Sequence, residues 1–218
     1  MKRDLMDMIV TDLIDISKKQ CKVMIDDEFA FVLYKGELHL YGISVGKEMT
    51  EACYHKIVDE VLCRRCKLRA MNLLKERIYS EKRLREKLIN GNYPSECVDA
   101  AIEYVKSFGY VDDVRYAQDF LFYHGKKLNR QQIFLKLRQR GIADDIIRDA
   151  YQSFCESGEK TPDEELIHRQ LHKKHFPGLE FCTTEEKNKF LRSLIQKGFS
   201  MDVVLRAMQS FVCGNSNL

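Results

Sequence analysis

The chain has 218 residues, with 36 Lys and Arg against 33 Asp and Glu, and 44% of its residues are hydrophobic. These proportions are ordinary for globular proteins and exclude a chain that is disordered throughout or a Gly-rich fibrous array. Only 11 Gly and 3 Pro occur, which favours helix. No apolar run approaches the roughly 18 residues that span a bilayer, and the first residues are charged. We therefore expect a cytoplasmic protein without membrane contact.

The first fifty residues predict a small antiparallel β-sheet. Residues 21–26 and 29–34 are β-branched or aromatic runs, and the acidic residues between them predict a turn. A third short strand is predicted at 38–41. Segment 5–16 fits helical spacing in part, but its second half alternates as a strand does. Residues 1–49 are therefore interpreted as an N-terminal β extension.

The period changes to that of a helix after Thr50, which is a plausible N-cap. No proline follows until Pro94. A helix is therefore predicted from about residue 51 into the basic segment that follows.

An internal repeat occupies the rest of the chain. Residues 137–154 align without gaps on 194–211 and share eight of eighteen residues. A weaker copy lies earlier, where Leu84 and Leu88 take the places of Ile133 and Leu137. Because the copies share mainly apolar positions, we expect three similar cores.

Each copy predicts a helical hairpin, with a first helix ending near Gly91, Gly141 or Gly198 and a second beginning near Ser95, Asp144 or Ser200. A preceding helix is predicted for at least the first two copies, at 67–77 and 113–125. The fold class is thus mainly α, with three tandem three-helix repeats in an elongated curved array behind the N-terminal sheet. The expected domains are the extension 1–49, a linking helix with the first repeat at 50–108, the second repeat at 109–156 and the third at 157–218.

Charge is distributed unevenly along the chain. Residues 1–62 carry 8 basic and 12 acidic residues, whereas residues 63–218 carry 28 and 21. Residues 64–87 alone hold ten basic residues and three acids, with few aromatic residues placed for base stacking. Such a segment is suited to a polyanion, either nucleic acid phosphates or an acidic groove of a protein filament. The alternative is a solvated helix face with local ion pairs.

Several segments together resemble the bacterial RecX family of regulatory proteins. The stretches 109–117, 131–137 and 140–142 are similar to its middle repeat, 80–88 to its first repeat, and 25–31 to the N-terminal extension of its longer members. The framework positions on which the resemblance rests are Gly109, Tyr110, Asp112, Asp113, Tyr116, Ala117, Leu137, Gly141 and Ile142. The family often carries a glycine at a position where this chain has Lys127, Leu128 and Asn129, and the His-rich stretch 163–181 has no place in the pattern.

This resemblance implies a monomeric, non-enzymatic regulator without cofactor or metal. It implies binding to the RecA recombinase filament, with single-stranded DNA contacted directly or through the filament. We expect inhibition of strand exchange, ATP hydrolysis and co-protease activity in recombinational repair and the SOS response. The residues expected to contact filament or DNA are Arg64, Arg65, Lys67, Arg69, Lys82, Arg83, Arg85, Lys87, Lys126, Lys127, Arg130, Lys136, Arg138 and Arg140.

A free-standing helical DNA-binding protein is the main alternative, because helical hairpins with basic flanks also describe helix-turn-helix modules. The second helices of the last two copies argue against it, since 144–154 is acidic and 201–211 is largely apolar. A recognition helix would instead need a polar and basic exposed face.

Three other clusters have simpler structural interpretations. Asp112 and Asp113 precede a helical pattern, where aspartate caps backbone amides. Cys63 and Cys66 have the spacing of half a zinc site, but no second pair follows and the arginines between them suggest a helix. A metal site at His168, His172 and His175 is disfavoured because adjacent lysines would repel a cation. No nucleophile elbow or phosphate-binding glycine loop is present, so no catalytic residue is predicted.

Overall fold

The computed structural model describes residues 8–156 and 162–211. These residues fall into two compact units, which divide between Asp112 and Asp113. The fold is mainly helical with an N-terminal antiparallel sheet, which confirms the predicted mainly α class and the predicted sheet. Residues 5–7 of the ambiguous first segment lie outside the described residues. The four-part division at 1–49, 50–108, 109–156 and 157–218 stays a prediction.

The N-terminal sheet has four strands in the order β3-β2-β1-β4, and every neighbouring pair is antiparallel. The strands are β1 (Met8–Asp15), β2 (Gln20–Ile25), β3 (Glu28–Tyr34) and β4 (Glu48–Met49). Asp26 and Asp27 form the turn between β2 and β3 with positive φ angles of 51° and 65°, as a two-residue hairpin turn requires. Alternate residues of β2 are buried, so one face of the sheet faces the core.

The prediction of a third strand at 38–41 is wrong. Residues Lys35–Leu40 form a short helix, α1. Glu37 determines this local fold, because its Oε2 accepts the Tyr34 N–H at 2.8 Å and its Oε1 lies 2.5 Å from Arg65 Nη2. Leu38 is then buried against the sheet. A capping contact and one buried residue therefore outweigh the β-propensity of this run.

A continuous helical segment begins after Thr50, as predicted. The Thr50 Oγ1 caps it by accepting the Cys53 N–H at 3.2 Å. The segment comprises α2 (Glu51–Lys56), a π-helical turn (Ile57–Leu62) and α3 (Cys63–Glu76). Arg77 is extended and ends it. The π-helical turn was not anticipated from the sequence.

The first helical repeat consists of α3, α4 (Glu81–Ile89) and α5 (Ser95–Ser107). Its buried side chains form one continuous cluster with those of the sheet, including Phe31 and Leu33 from β3 and Leu84 and Leu88 from α4. The β extension therefore packs on the first repeat.

The second unit contains two further three-helix repeats. They are α6 (Asp113–His124), α7 (Arg130–Gln139) and α8 (Asp144–Glu156), followed by α9 (Pro162–Lys173), α10 (Thr184–Gln196) and α11 (Met201–Gln209). Each has its own buried cluster. In all three repeats the first helix packs on the third. The His-rich stretch that the sequence left without a place belongs largely to α9, the first helix of the third repeat.

The turn inside each hairpin requires a left-handed residue. Gly141 and Gly198 have φ of 84° and 90°. In the first repeat the equivalent residue is Asn92, with φ of 60°, rather than the neighbouring Gly91. Asparagine tolerates this region better than most residues, which explains the exchange. Beyond each turn, the aligned alanines Ala101, Ala150 and Ala207 are all buried, as the shared apolar framework predicts.

Two buried polar side chains connect the second and third repeats. Asn129 caps α7 through its Oδ1, which accepts the Gln132 N–H at 2.8 Å, while its Nδ2 donates to the Lys197 carbonyl at 2.7 Å. Asp163 Oδ1 accepts the Arg130 N–H at 2.9 Å. The N-terminus of α7 is thus satisfied partly by the third repeat.

Candidate polyanion-binding site

The fourteen predicted contact residues divide into two equal groups in the folded chain. Seven are exposed and have neither an ion pair with an acidic residue nor an aromatic ring beneath them in the described ranges. They are Arg64, Arg69, Lys82, Lys87, Lys126, Lys127 and Lys136. Four belong to the first unit and three to the second, so both units present cations that are available to an external anion.

The other predicted residues of the first unit have internal partners. Arg65 is half-buried, its guanidinium lies 4.6 Å from the Tyr34 ring centroid, and it pairs with Glu37. Lys67 lies over Tyr104 at 5.4 Å. Two more pair with carboxylates: Arg83 with Glu86, and Arg85 with Glu81 and Asp99. Each of these four side chains thus has a contact within the protein that accounts for it without an external anion.

Three arginines of the second unit lie over aromatic rings. The Arg130 guanidinium is 5.1 Å from the Phe134 centroid and 5.7 Å from that of Tyr151. Arg140 lies over Tyr116 and Phe120 and donates to the Tyr116 hydroxyl. Arg138 lies 5.9 Å from Phe134. Stacking of this kind fixes a guanidinium while leaving N–H donors at its edge.

Arg138 also forms a bidentate salt bridge with Asp144. Its Nε and Nη2 donate to the two carboxylate oxygens at 2.6 and 2.9 Å. This hydrogen bonding lowers the pKa of Asp144 and raises that of Arg138, and the charge of Arg148 lowers the Asp144 pKa further. Asp144 therefore stays ionised and its negative charge lies among arginines.

Arg130, Arg138 and Asp144 line an open cleft of about 420 Å³ in the second unit, which we call the arginine cleft. Its walls include Arg130, Phe134, Arg138, Asp144, Arg148 and Ser200. Sequence reasoning missed Arg148 because it lies in an acidic helix, outside the basic segments. A sequence pattern could have predicted part of this cleft. Arg130, Phe134 and Arg138 are spaced at i, i+4 and i+8, which places all three on one helix face.

Aromatic residues near the basic first repeat were also missed. The end of α5 places Tyr104, Phe108 and Tyr110 next to one another, with ring centroids 5.0 and 6.0 Å apart. Phe108 and Tyr110 are exposed, and Lys67 approaches Tyr104 from α3. The basic segment itself has few aromatic residues, but the fold supplies them from a neighbouring helix.

The framework residues of the resemblance form the core and turns around these surfaces. Ala117, Leu137 and Ile142 are buried, and Gly109 and Gly141 adopt positive φ. The others lie at the surface or at helix ends: Tyr116 is half-buried, Tyr110 is exposed, and α6 begins at Asp113, directly after Asp112. The position of the two aspartates is the one expected for capping.

The histidines and the cysteine pair have defined surroundings. His168 Nε2 lies 3.0 Å from the Ala207 carbonyl oxygen, and the rings of His168 and His172 contact Phe211. Cys63 and Cys66 lie on α3 and point into the core, where burial raises both thiol pKa values, that of Cys66 to about 12. Within residues 8–156 and 162–211, no group of three His, Cys, Asp or Glu residues is arranged to hold a metal ion.

No helix within the described part of the chain has both the length and the hydropathy required to cross a membrane.

Comparison with known proteins gives consistent matches over most of the chain. Residues 66–104 match the family profile described as "RecX, first three-helix domain", and residues 162–208 match "RecX, third three-helix domain". The regulatory protein RecX of Caldanaerobacter subterraneus subsp. tengcongensis is 27% identical over 203 residues, covering 92% of this chain and 98% of its own. That of Clostridium botulinum (strain Eklund 17B / Type B) is 24% identical over 188 residues, covering 86% and 88%.

Two solved structures share the fold. A crystal structure of regulatory protein RecX superposes with a TM-score of 0.58 at 20% identity, covering 92% of this chain and 98% of the other. The RecX of Lactobacillus salivarius gives a TM-score of 0.56 at 20% identity, covering 68% and 96%.

Proposed function

Because the chain belongs to the RecX family of regulatory proteins, we propose that it binds the RecA recombinase and the filaments that RecA forms on single-stranded DNA. The bound protein inhibits strand exchange, ATP hydrolysis and co-protease activity. It thereby limits recombinational DNA repair and the SOS response. It acts in the cytoplasm as a monomer and as a binding protein, without catalysis or cofactor.

The observation that carries this proposal is the set of exposed basic residues in both compact units. Arg64, Arg69, Lys82 and Lys87 in the first unit and Lys126, Lys127 and Lys136 in the second are exposed and form no ion pair with any described residue. A filament on DNA is a long polyanion, so cations of this kind favour association at low salt.

Two binding surfaces on one chain strengthen attachment to a repeating target. Once one unit is bound, the other experiences a high effective concentration of the next site on the same filament. A single molecule then contacts more than one repeating element of the polymer. The affinity of the whole chain for the filament then exceeds that of either unit alone.

The test is DNA-dependent ATP hydrolysis by the RecA of the same organism, with the protein titrated at sub-stoichiometric ratios against preformed filaments. We expect the rate to fall. The double variants K82Q/K87Q and K127Q/K136Q should each require more protein for the same inhibition. K189Q/R192Q, which removes two exposed cations from α10 outside these surfaces, should behave as the unmodified chain does.

An unchanged rate, at concentrations where binding to naked DNA is already saturated, would overturn the proposal. It would instead favour the free-standing DNA-binding protein.

A further inference from the structure

The arginine cleft has the composition of an anion site. Arg130, Arg138 and Arg148 line it, and Asp144 is the acidic residue on its wall. Its volume of about 420 Å³ lies in the range of ligand-binding clefts and admits a group of nucleotide size. Three guanidinium groups against one carboxylate leave an excess of positive charge in a concave surface, where the field is stronger than on a flat one.

One wall of the cleft alternates cation, ring and cation along α7. Arg130, Phe134 and Arg138 are spaced at i, i+4 and i+8, so they follow one helix face over two turns, about 12 Å. Both guanidinium groups approach the Phe134 ring, at 5.1 and 5.9 Å from its centroid. A row of fixed cations with an aromatic surface between them is typical of grooves that follow a single strand of nucleic acid.

A second helix, α8, adds Arg148 to the lining of the cleft. It is exposed and forms no ion pair within the described ranges, although its charge acts on Asp144. Asp144 is held by two hydrogen bonds from Arg138, at 2.6 and 2.9 Å. Its carboxylate therefore occupies the position in which an external oxyanion would meet the same guanidinium fork. An external anion would therefore compete with Asp144 for the Arg138 guanidinium.

We propose that the arginine cleft binds the sugar–phosphate backbone of single-stranded DNA directly, with Arg130 and Arg148 contacting phosphates and Phe134 contacting a base or sugar. This inference rests on the proposed function, because it assigns to one surface of the filament regulator its own DNA contact. Contacts to the phosphates are independent of sequence, so the cleft does not select among bases.

The first measurement uses fluorescence anisotropy of a labelled oligo(dT) with the full chain alone, over a series of salt concentrations. R130Q/R148Q is expected to bind about tenfold more weakly, since two charge-assisted contacts are lost. The slope of log affinity against log salt should fall by about 1.4, because each lost phosphate contact removes about 0.7. K189Q/R192Q is the control, because it removes the same charge from α10.

A second variant tests the competitor role of Asp144 and should increase affinity. D144N removes a negative charge from the cleft wall and frees the Arg138 fork, so oligo(dT) should bind several-fold more tightly. D149N is the matched control, since Asp149 lies exposed on the same helix but does not line the cleft. Thermal unfolding monitored by circular dichroism confirms that each variant is folded.

The proposal is overturned if R130Q/R148Q and K189Q/R192Q weaken binding equally, because charge alone would then be responsible. It is also overturned if the unmodified chain binds a labelled poly-glutamate peptide through Arg130 and Arg148 but does not bind oligo(dT). Equal affinities of D144N and D149N would contradict the role of Asp144. Inhibition of RecA by a chain that fails to bind oligo(dT) would remove this inference and leave the proposed function intact.

Discussion

Basic side chains that look equivalent in the sequence have different surroundings in the folded chain. Lys82 is exposed and has no acidic partner among the described residues, whereas Arg85, three positions later, pairs with Glu81 and Asp99. Local pairs such as Arg83 with Glu86 follow from sequence spacing, whereas the pair of Arg85 with Asp99 does not, because Asp99 lies on another helix. Composition therefore identifies a basic segment, and the tertiary fold decides which of its charges are available.

Asp163 should make the stability of the chain depend on pH. It is buried, burial raises its pKa, and its Oδ1 accepts the Arg130 N–H. The folded chain thus binds this proton more tightly than the unfolded chain, so the contribution of Asp163 to stability falls as pH rises from about 3.9 through the raised pKa. D163N keeps an acceptor and does not titrate. Its free energy of unfolding relative to the unmodified chain should therefore rise across this window, as measured by urea unfolding.

D163A is the comparison, because it leaves the Arg130 N–H without its acceptor. It should lower the free energy of unfolding by about 1–3 kcal/mol at neutral pH. Parallel pH profiles for D163N and the unmodified chain would contradict the raised pKa.

Gly125 is closely packed, so a larger residue there should destabilise the chain. A Cβ there would lie 2.4 Å from the Phe154 ring and 2.6 Å from the Leu121 carbonyl oxygen. G125A should therefore destabilise the chain by about 1–3 kcal/mol in thermal or urea unfolding. G36A is the control, since Gly36 lies in α1 with no atom within 4 Å of an added Cβ and should be neutral or slightly stabilised. Equal effects of both changes would show that Gly125 is not tightly packed.

At the scale of elements, periodicity predicted most helices after residue 50 and the strands of the hairpin at 20–34. It failed at 35–40, where Glu37 binds both the Tyr34 N–H and Arg65, which lies 28 residues away. It also could not predict the π-helical turn, which places the Val58 carbonyl 3.5 Å from the Cys97 Sγ. These features depend on contacts between distant segments, so a local pattern does not contain them.

The contact between Asn129, at the N-terminus of α7, and Lys197 of the third repeat should contribute to stability. N129S preserves the N-cap of α7 but removes the Nδ2 donor to the Lys197 carbonyl, so it should lower the free energy of unfolding by about 0.5–1.5 kcal/mol. T183S makes a comparable change at the exposed N-cap of α10 and should stay within a few tenths of a kcal/mol. Urea unfolding of the two variants distinguishes them. A loss no larger for N129S than for T183S would show that the bridge between repeats contributes nothing.

For the molecule as a whole, the sequence predicted three repeats and a separate extension, and the cores refine that description. The sheet shares one continuous core with the first repeat, whereas the second and third repeats have their own clusters. Packing of the sheet was not predictable, because alternating burial shows that a strand has a buried face but not which partner covers it. The arginine cleft likewise combines residues up to 70 positions apart, from Arg130 to Ser200.

Filament binding should depend on both compact units. K82Q/K87Q and K127Q/K136Q should each weaken binding and each reduce its salt dependence, because each removes cations from a different unit. Affinity measured by biolayer interferometry at several salt concentrations provides the test. If one double variant has the affinity and salt slope of the unmodified chain, only one unit contacts the filament.

The proposed target of the protein is the RecA filament rather than DNA itself. The most direct test compares the affinity of the full chain for naked biotinylated oligo(dT) with its affinity for the same oligonucleotide coated by the cognate RecA and a non-hydrolysable ATP analogue. We expect the chain to bind the filament about tenfold more tightly than the naked oligonucleotide at the same salt, since two units then contact a repeating partner. Equal or tighter binding to the naked oligonucleotide would contradict it.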